Sequence, residues 1–98
     1  MKPLIFTKTS DFDIEDAVDF YNSQHIELGD RFLHSVHEKL DKIITNPSAY
    51  AIRYRNIHCA KVEHFPFMVH FINESDVIIV VGVIHTSRNP KLWKNRKS

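Results

Sequence analysis

The sequence predicts an α+β fold in which a helical hairpin packs on one face of an antiparallel sheet, in the order β-α-α-β-β-β. The chain has 98 residues, the size of one domain. Apolar residues recur every three or four positions in the first half, as in amphipathic helices. Aromatic and β-branched residues, separated by short turn signals, dominate the second half. Helices and strands that occupy different parts of a chain are typical of α+β folds, so residues 1–98 are predicted to form a single domain.

Two helices are predicted before Pro47. A short strand over Pro3–Thr9 precedes the first, which is expected to begin at Ser10-Asp11, a favourable helix start. Carboxylates in its first turns suit the positive end of the helix dipole, so we do not interpret them as a metal site, and we predict no cofactor. The second helix runs from Leu28 to Ile44 and is the more clearly amphipathic. It ends before Pro47 because proline disfavours helical geometry in the residue that precedes it.

Three strands are predicted in the second half of the chain, at Ile57–Val62, Phe67–Asn73 and Val77–His85. Their short connections indicate an antiparallel meander. The last strand is apolar on both faces, which is typical of a strand inside a sheet. We therefore expect it to be central and to be covered by the helices on at least one side.

The single cysteine and the apolar segments indicate a cytoplasmic protein. Cys59 is the only cysteine, which excludes an internal disulfide and fits a reducing compartment. We expect it to be buried and inert in a strand. The N-terminal residues have no signal-peptide pattern. The apolar run Val77–Ile84 is shorter than the roughly 20 residues that a membrane-spanning helix needs.

Charge is distributed unevenly along the chain. Residues 1–46 contain five Lys or Arg and nine Asp or Glu, a net charge of −4, whereas residues 47–98 contain eight and three, a net charge of +5. This asymmetry indicates an acidic partner for the C-terminal half. A solvated basic tail is the alternative explanation.

His85, at the end of the last predicted strand, is the main candidate for chemistry. A histidine titrates near neutral pH, and Arg55 and Arg88 carry charges that bind phosphate. These three residues are the catalytic candidates if the protein is a metal-independent ribonuclease. The alternative is that His85 forms local hydrogen bonds where the strand leaves the sheet and packs against Trp93. A sequence pI near 7.9 is poorly suited to a ribosomal RNA surface, where binding depends on neutralising phosphates.

The other histidines have simpler explanations. His34 and His37 lie one helical turn apart, a spacing that zinc sites use, but no Cys or acidic partner is obviously placed to complete a site. We expect both to be surface residues. His58, His64 and His70 are expected to be ordinary surface or groove residues.

Segments spread over most of the chain resemble one protein family. They are Ala17–Tyr21, Leu28–Leu33, Ile43–Pro47, Arg55, Val62–Phe67 and Val83–Pro90, followed by Trp93 and Arg96. The ordered set at these spacings resembles the RelE/ParE superfamily of bacterial type II toxins, most closely its ParE branch, the plasmid stabilisation proteins. Phe67 stands where ParE-like chains commonly have Tyr.

The resemblance implies a toxin that is encoded beside a neutralising antitoxin and forms a hetero-oligomer with it. ParE-like members are associated with poisoning DNA gyrase, and RelE-like members cut messenger RNA in the ribosomal A site. Three hypotheses follow. The first is a gyrase poison that uses His85, Arg88, Trp93 and Arg96 as partner-binding residues. The second is a ribosome-dependent endoribonuclease that uses His85 with Arg55 and Arg88. The third is a non-toxic module that binds only the antitoxin.

The antitoxin predicted under the first two hypotheses is acidic where it meets the toxin. We expect a disordered or helical acidic segment to lie in a groove beside the basic C-terminal half, where it buries apolar surface as well as pairing charge.

Overall fold

The computed structural model describes residues 2–87, and Met1 and residues 88–98 lie outside the described part. Its elements, in chain order, are β1 (Leu4–Phe6), α1 (Lys8–Gln24), α2 (Leu28–Thr45), a short 3-10 turn (Pro47–Ala49), β2 (Ile52–Tyr54), β3 (Ile57–Lys61), β4 (Phe67–Asn73) and β5 (Ile78–His85). The five strands form one sheet in the order β1-β5-β4-β3-β2. The two helices pack on one of its faces.

The predicted fold is confirmed, with two additions. β2 is an extra short strand that extends the predicted antiparallel meander at one edge. β1 joins the other edge by pairing parallel to β5, with Leu4 opposite Ile78, so the sheet as a whole is mixed. β5 therefore lies inside the sheet, between β1 and β4, as its apolar character predicts, although the middle strand of the five is β4.

The first helix begins earlier than the sequence suggested. Thr7 is its N-cap, and the Thr7 hydroxyl oxygen accepts a hydrogen bond from the backbone N–H of Ser10 at 3.1 Å. The predicted start at Ser10-Asp11 was late because those residues are also good caps. In the structure Ser10 is fully buried within the first turn of the helix.

The core lies between α2 and the sheet. α2 contributes Phe32, Val36, Leu40 and Ile43, all buried, which recur with the helical period. They pack against buried side chains on β4 and β5, which are Val69, Phe71, Ile78, Val80 and Val83. This spacing is what made α2 predictable from sequence.

A β-bulge in β5 sets the direction of its last residues. Phe71 pairs with Val80 and His70 pairs with Gly82, so Val81 is an extra residue in β5. The bulge resets the alternation of side chains, and Val80 and Val83 both face the helices as a result. His85, two residues after Val83, lies on the same face of the sheet.

The opposite face of the sheet carries a continuous apolar row. By strand register, Ile5 pairs with Ile79, Ile79 with Ile72, Ile72 with Ile57, and Ile57 with Tyr54. The row thus crosses all five strands on the side away from the helices. Cross-strand pairs of β-branched side chains stabilise a sheet.

Gly29 allows the two helices to meet closely. A Cβ atom at this position would lie 2.5 Å from the backbone oxygen of Val18 and 2.6 Å from the side chain of Asn22. The Asn22 side-chain oxygen also accepts a hydrogen bond from the Gly29 backbone N–H at 2.8 Å. The start of α2 is therefore held against α1 by a contact that tolerates no side chain.

Candidate functional site

A cleft of about 490 Å³ lies between α1 and the end of β5. α1 supplies its acidic and aromatic side chains, and β4, β5 and the residues that follow supply the other wall. The lining residues are Asp13, Asp16, Ala17, Phe20, Tyr21, Phe67, Val83, Ile84, His85 and Ser87. His85, the main sequence candidate, is thus part of the cleft.

His85 is held by hydrogen bonds to Ser87. The backbone N–H of Ser87 donates to Nδ1 of His85 at 3.1 Å, and the Ser87 hydroxyl oxygen lies 2.7 Å from the same nitrogen. A backbone N–H can only donate, so Nδ1 is the acceptor, and the neutral ring carries its proton on Nε2. The neutral side chain therefore has an N–H donor at Nε2, while its basic nitrogen is engaged by its own chain.

The His85 ring packs against aromatic side chains. The Phe67 and His85 rings meet edge to face with centroids 5.2 Å apart. Phe67 in turn contacts Phe32 at 5.0 Å and Tyr21 at 6.1 Å. Burial raises the pKa of the Tyr21 hydroxyl, so this group stays protonated at neutral pH. The ring of His85 thus rests on a packed aromatic cluster that is continuous with the core.

Asp13 ties α1 to β5 at the cleft. Its Oδ2 accepts a hydrogen bond from the backbone N–H of Val83 at 3.0 Å. β1 pairs with β5 only as far as Val80, so the carboxylate supplies an acceptor where the neighbouring strand has ended. Asp13 is one of the carboxylates in the first turns of this helix that were related, from the sequence, only to the helix dipole. No local pattern indicates its contact with Val83, because the partner is a backbone group 70 residues away.

A family comparison identifies the toxin class. The family model of the ParE toxin of the type II toxin-antitoxin system, parDE, matches residues 4–90. The chain belongs to this family. The predicted resemblance to the ParE branch is therefore confirmed.

Comparison of structures agrees with the family assignment. The fold of this ParE-family toxin is similar to that of a chain from the chromosomal ParDE TA system of P. aeruginosa, with a TM-score of 0.78. The two share 15% sequence identity over 89% of this chain and 98% of the other, so the likeness is one of fold. No curated protein sequence matches the chain significantly.

The toxin does not bring Arg55 to His85. Arg55 lies in the turn between β2 and β3, with a positive φ of 49°. Ile57 is level with Ile72 on β4, whereas His85 is level with Phe67 at the other end of that strand. Five residues of β4 span about 17 Å, and Arg55 lies further out still. Arg88, Trp93 and Arg96 lie outside the described residues.

Cys59 of the toxin is buried in β3, as predicted. Burial raises the pKa of its thiol to about 11, which outweighs the opposing effect of Arg53. A thiol that stays protonated at neutral pH is a poor nucleophile. Cys59 therefore acts as a packing residue of the sheet.

The burial of His70 differs from the expectation that it is a surface or groove residue. It is fully buried, and its Nδ1 lies 2.9 Å from the hydroxyl of Tyr54 and 3.5 Å from Sγ of Cys59. The expectation of a surface or groove residue was wrong because β4 lies inside the sheet, so its outer face is flanked by β3 and β5. Histidine is polar enough to be assigned to the surface from sequence, but the Tyr54 hydroxyl gives its Nδ1 a hydrogen-bond partner in the interior.

The described residues show neither a metal site among the remaining histidines nor a membrane-spanning helix. His34 is exposed and lies 3.7 Å from Glu38 on the next turn of α2. Within residues 2–87 no group of three or more His, Cys, Asp or Glu side chains is arranged to hold a metal ion. In the same part of the chain no helix is both long and apolar enough to cross a membrane.

Proposed function

We propose that this ParE-family toxin arrests growth in the cytoplasm by binding DNA gyrase and poisoning it, and that a cognate antitoxin neutralises it. Membership of the ParE toxin family over residues 4–90 carries the proposal. His85 and, beyond the described residues, Arg88, Trp93 and Arg96 are the proposed contacts. A role in plasmid stabilisation would follow from the same pairing of toxin and antitoxin.

The geometry of His85 supports a role in contact. With Nδ1 accepting from Ser87, the neutral ring offers a hydrogen-bond donor at Nε2. A general base for the 2′-hydroxyl of RNA needs a free lone pair within hydrogen-bond reach of that hydroxyl. A donor held on an aromatic cluster suits recognition of an acceptor group on a protein surface.

The surroundings of His85 also favour a protein target over RNA. Asp13 and Asp16 line the same cleft, and two carboxylates repel the phosphates that an RNA site must attract. Arg55 lies near the opposite end of the sheet from His85. The ribosome-dependent endoribonuclease therefore finds less support in this arrangement than the gyrase poison.

A supercoiling assay tests the proposal. Purified toxin is added to gyrase and relaxed plasmid, and we expect supercoiling to fall and linear, gyrase-cleaved DNA to accumulate. Gyrase that is unaffected by a large excess of toxin would overturn the proposal. Toeprinting on translating ribosomes is run in parallel, since A-site cuts that disappear with His85→Ala would establish the nuclease instead. Tight antitoxin binding without growth arrest on expression would establish the third hypothesis, the non-toxic module.

A further inference from the structure

Two phenylalanines on α1 are exposed to solvent. Phe12 is 66% exposed and Phe20 is 56% exposed. Asp16 and Asp19, also exposed, lie on the same side of the helix, and the four side chains fall within an arc of about 100° at 3.6 residues per turn. We call these four residues the α1 face. Large aromatic side chains grouped on a surface are typical of interaction sites.

The two helices contribute different numbers of buried residues to the core. α2 buries seven residues, whereas α1 buries only Ser10 and Ala17. The core side of α1 is formed by Ala17 with the partly buried Ile14, Val18 and Tyr21. The α1 face points away from this side, and neither phenylalanine packs against the core cluster. The Phe20 ring meets the Tyr21 ring edge to face at 5.3 Å but remains more than half exposed.

The α1 face is continuous with the cleft at His85. Asp16 and Phe20 belong to the face and also line the cleft. A partner segment that covers the face therefore reaches the edge of the cleft that His85 and Ser87 also line. Phe12 lies about two helical turns before Phe20, so the surface is about 12 Å long and accommodates about two turns of a partner helix.

The charge of α1 determines which kind of partner segment can bind the α1 face. α1 carries five Asp or Glu and a single Lys, whereas α2 carries three acidic and three basic residues. A partner must therefore present positive charge beside its apolar side chains, because like charges across an interface are strongly unfavourable. This requirement is opposite in sign to the acidic segment expected beside the basic C-terminal half.

We propose that the α1 face docks a cationic amphipathic segment of the antitoxin. Its aliphatic side chains cover Phe12 and Phe20, and its Lys or Arg side chains pair with Asp16 and Asp19. The inference rests on the proposed function, which supplies the antitoxin. The antitoxin would then have one basic segment, which binds the acidic α1, and one acidic segment, which lies beside the basic C-terminal half of the toxin.

Binding measurements with matched variants test this docking. Purified toxin and the antitoxin encoded beside it are titrated by calorimetry or interferometry. We expect Phe20→Ala and the double variant Asp16→Lys/Asp19→Lys each to raise Kd about tenfold or more, as for a central anchor of an interface. Phe20→Leu, which keeps an apolar side chain, should retain most of the affinity.

The chain offers close controls. Ile52, on β2, is 58% exposed, and Asp41 is exposed on α2. We expect Ile52→Ala and Asp41→Lys to leave Kd within about twofold, since neither lies on the α1 face. Circular dichroism and thermal melting confirm that every variant is folded. The effect of the Asp16→Lys/Asp19→Lys change should lie mainly in the association rate and should shrink from about 0.05 to about 0.5 M salt.

The outcomes separate this inference from the proposed function. If wild-type toxin blocks gyrase and binds the antitoxin, but the α1-face variants bind like the controls, only the docking on α1 is overturned. If the Asp16→Lys/Asp19→Lys variant binds more tightly, the segment is acidic and the inference is wrong. If wild-type toxin binds no antitoxin, the inference and the antitoxin part of the proposed function fall together, and the supercoiling assay still decides the gyrase part.

Discussion

The backbone N–H of Val83 donates to Oδ2 of Asp13 at 3.0 Å, so a side chain of the first helix completes the edge of the sheet where β1 ends. The contact joins α1 to β5. Asp13 and Val83 both line the cleft that contains His85. One carboxylate thus connects the stability of the fold with the geometry of the site.

Removing the Asp13 carboxylate should destabilise the toxin. Asp13→Ala leaves the Val83 N–H without this acceptor, and we expect the free energy of unfolding to fall by about 1–3 kcal/mol. Asp13→Asn keeps a carbonyl oxygen and should cost less. Urea unfolding followed by circular dichroism measures both. Asp16→Ala, at an exposed position of the same helix, is the control and should change stability by less than about 0.5 kcal/mol. Equal losses for Asp13→Ala and Asp16→Ala would show that the Val83 contact contributes nothing.

Gly29 should not tolerate even the smallest side chain. In Gly29→Ala the new Cβ meets the backbone oxygen of Val18, which lies 2.5 Å away and cannot rotate aside. The helices must move apart, and we expect a loss of about 1–3 kcal/mol. Thermal melting gives the comparison with Gln24→Ala, a change at an exposed position near the end of α1. An unchanged melting temperature in Gly29→Ala would mean that the helices separate at no cost.

Replacing His85 by glutamine should separate contact from acid-base chemistry. The amide N–H of glutamine reaches about as far as Nε2 of histidine but does not titrate. We expect His85→Gln to retain growth arrest and inhibition of supercoiling, and His85→Ala to lose much of both. Growth after induction and a supercoiling assay measure the two activities. If His85→Gln is as inactive as His85→Ala, a hydrogen-bond donor at this position is not enough for growth arrest or inhibition of supercoiling.

The proton position on His85 can be observed directly. Nitrogen chemical shifts of the imidazole should place the proton on Nε2 in the neutral ring, because Nδ1 accepts from the Ser87 backbone. Ser87→Pro removes that N–H donor and should give a mixture of the two tautomers. Wild-type toxin with its proton on Nδ1 would rule out the hydrogen bond.

Cys59 should make the toxin less stable in alkaline solution. Its thiol pKa is raised by burial to about 11 in the folded chain, from 9.0 when exposed. Below pH 9 both states hold the proton, so the thiol adds no pH dependence. Between pH 9 and about 11 the unfolded chain loses the proton while the folded chain keeps it, and stability falls as pH rises.

The comparison with Cys59→Ala isolates this contribution. Urea unfolding at several pH values should show a steeper alkaline loss for wild-type toxin than for the variant. Thiol reagents at pH 8 should label the native protein far more slowly than the unfolded one. Parallel stability curves for the two proteins would contradict the effect.

The sequence predicted those parts of the fold that depend on local patterns. The period of α2 and the turn signals between β3, β4 and β5 lie within short windows, so helix and meander were both recognisable. The parallel pairing of β1 with β5, the bulge at Val81 and the role of Asp13 depend on partners that are distant in sequence. No local pattern encodes such partners, and a one-residue bulge leaves no mark on composition.

The candidate site was predicted in part. His85 was singled out by its position at the end of an apolar strand, and the structure places it in a cleft. Phe12 and Phe20 were not singled out from the sequence, because the helical period places them away from the core face of α1 but does not show whether another element covers them. The burial of His70 was missed because its neighbours on β3 become adjacent only after the sheet forms.

The parallel pairing of β1 with β5 has a consequence for synthesis on the ribosome. β1 cannot pair with β5 until Ile78, the partner of Leu4, has been synthesised. At translation rates of about 5–20 residues per second, this delay lasts several seconds. During that interval the nascent chain has neither β5 nor the cleft that β5 helps to form. The proposed contact surface at His85 therefore forms only after β5 has been made, so under the proposed function an antitoxin can bind it only from that point.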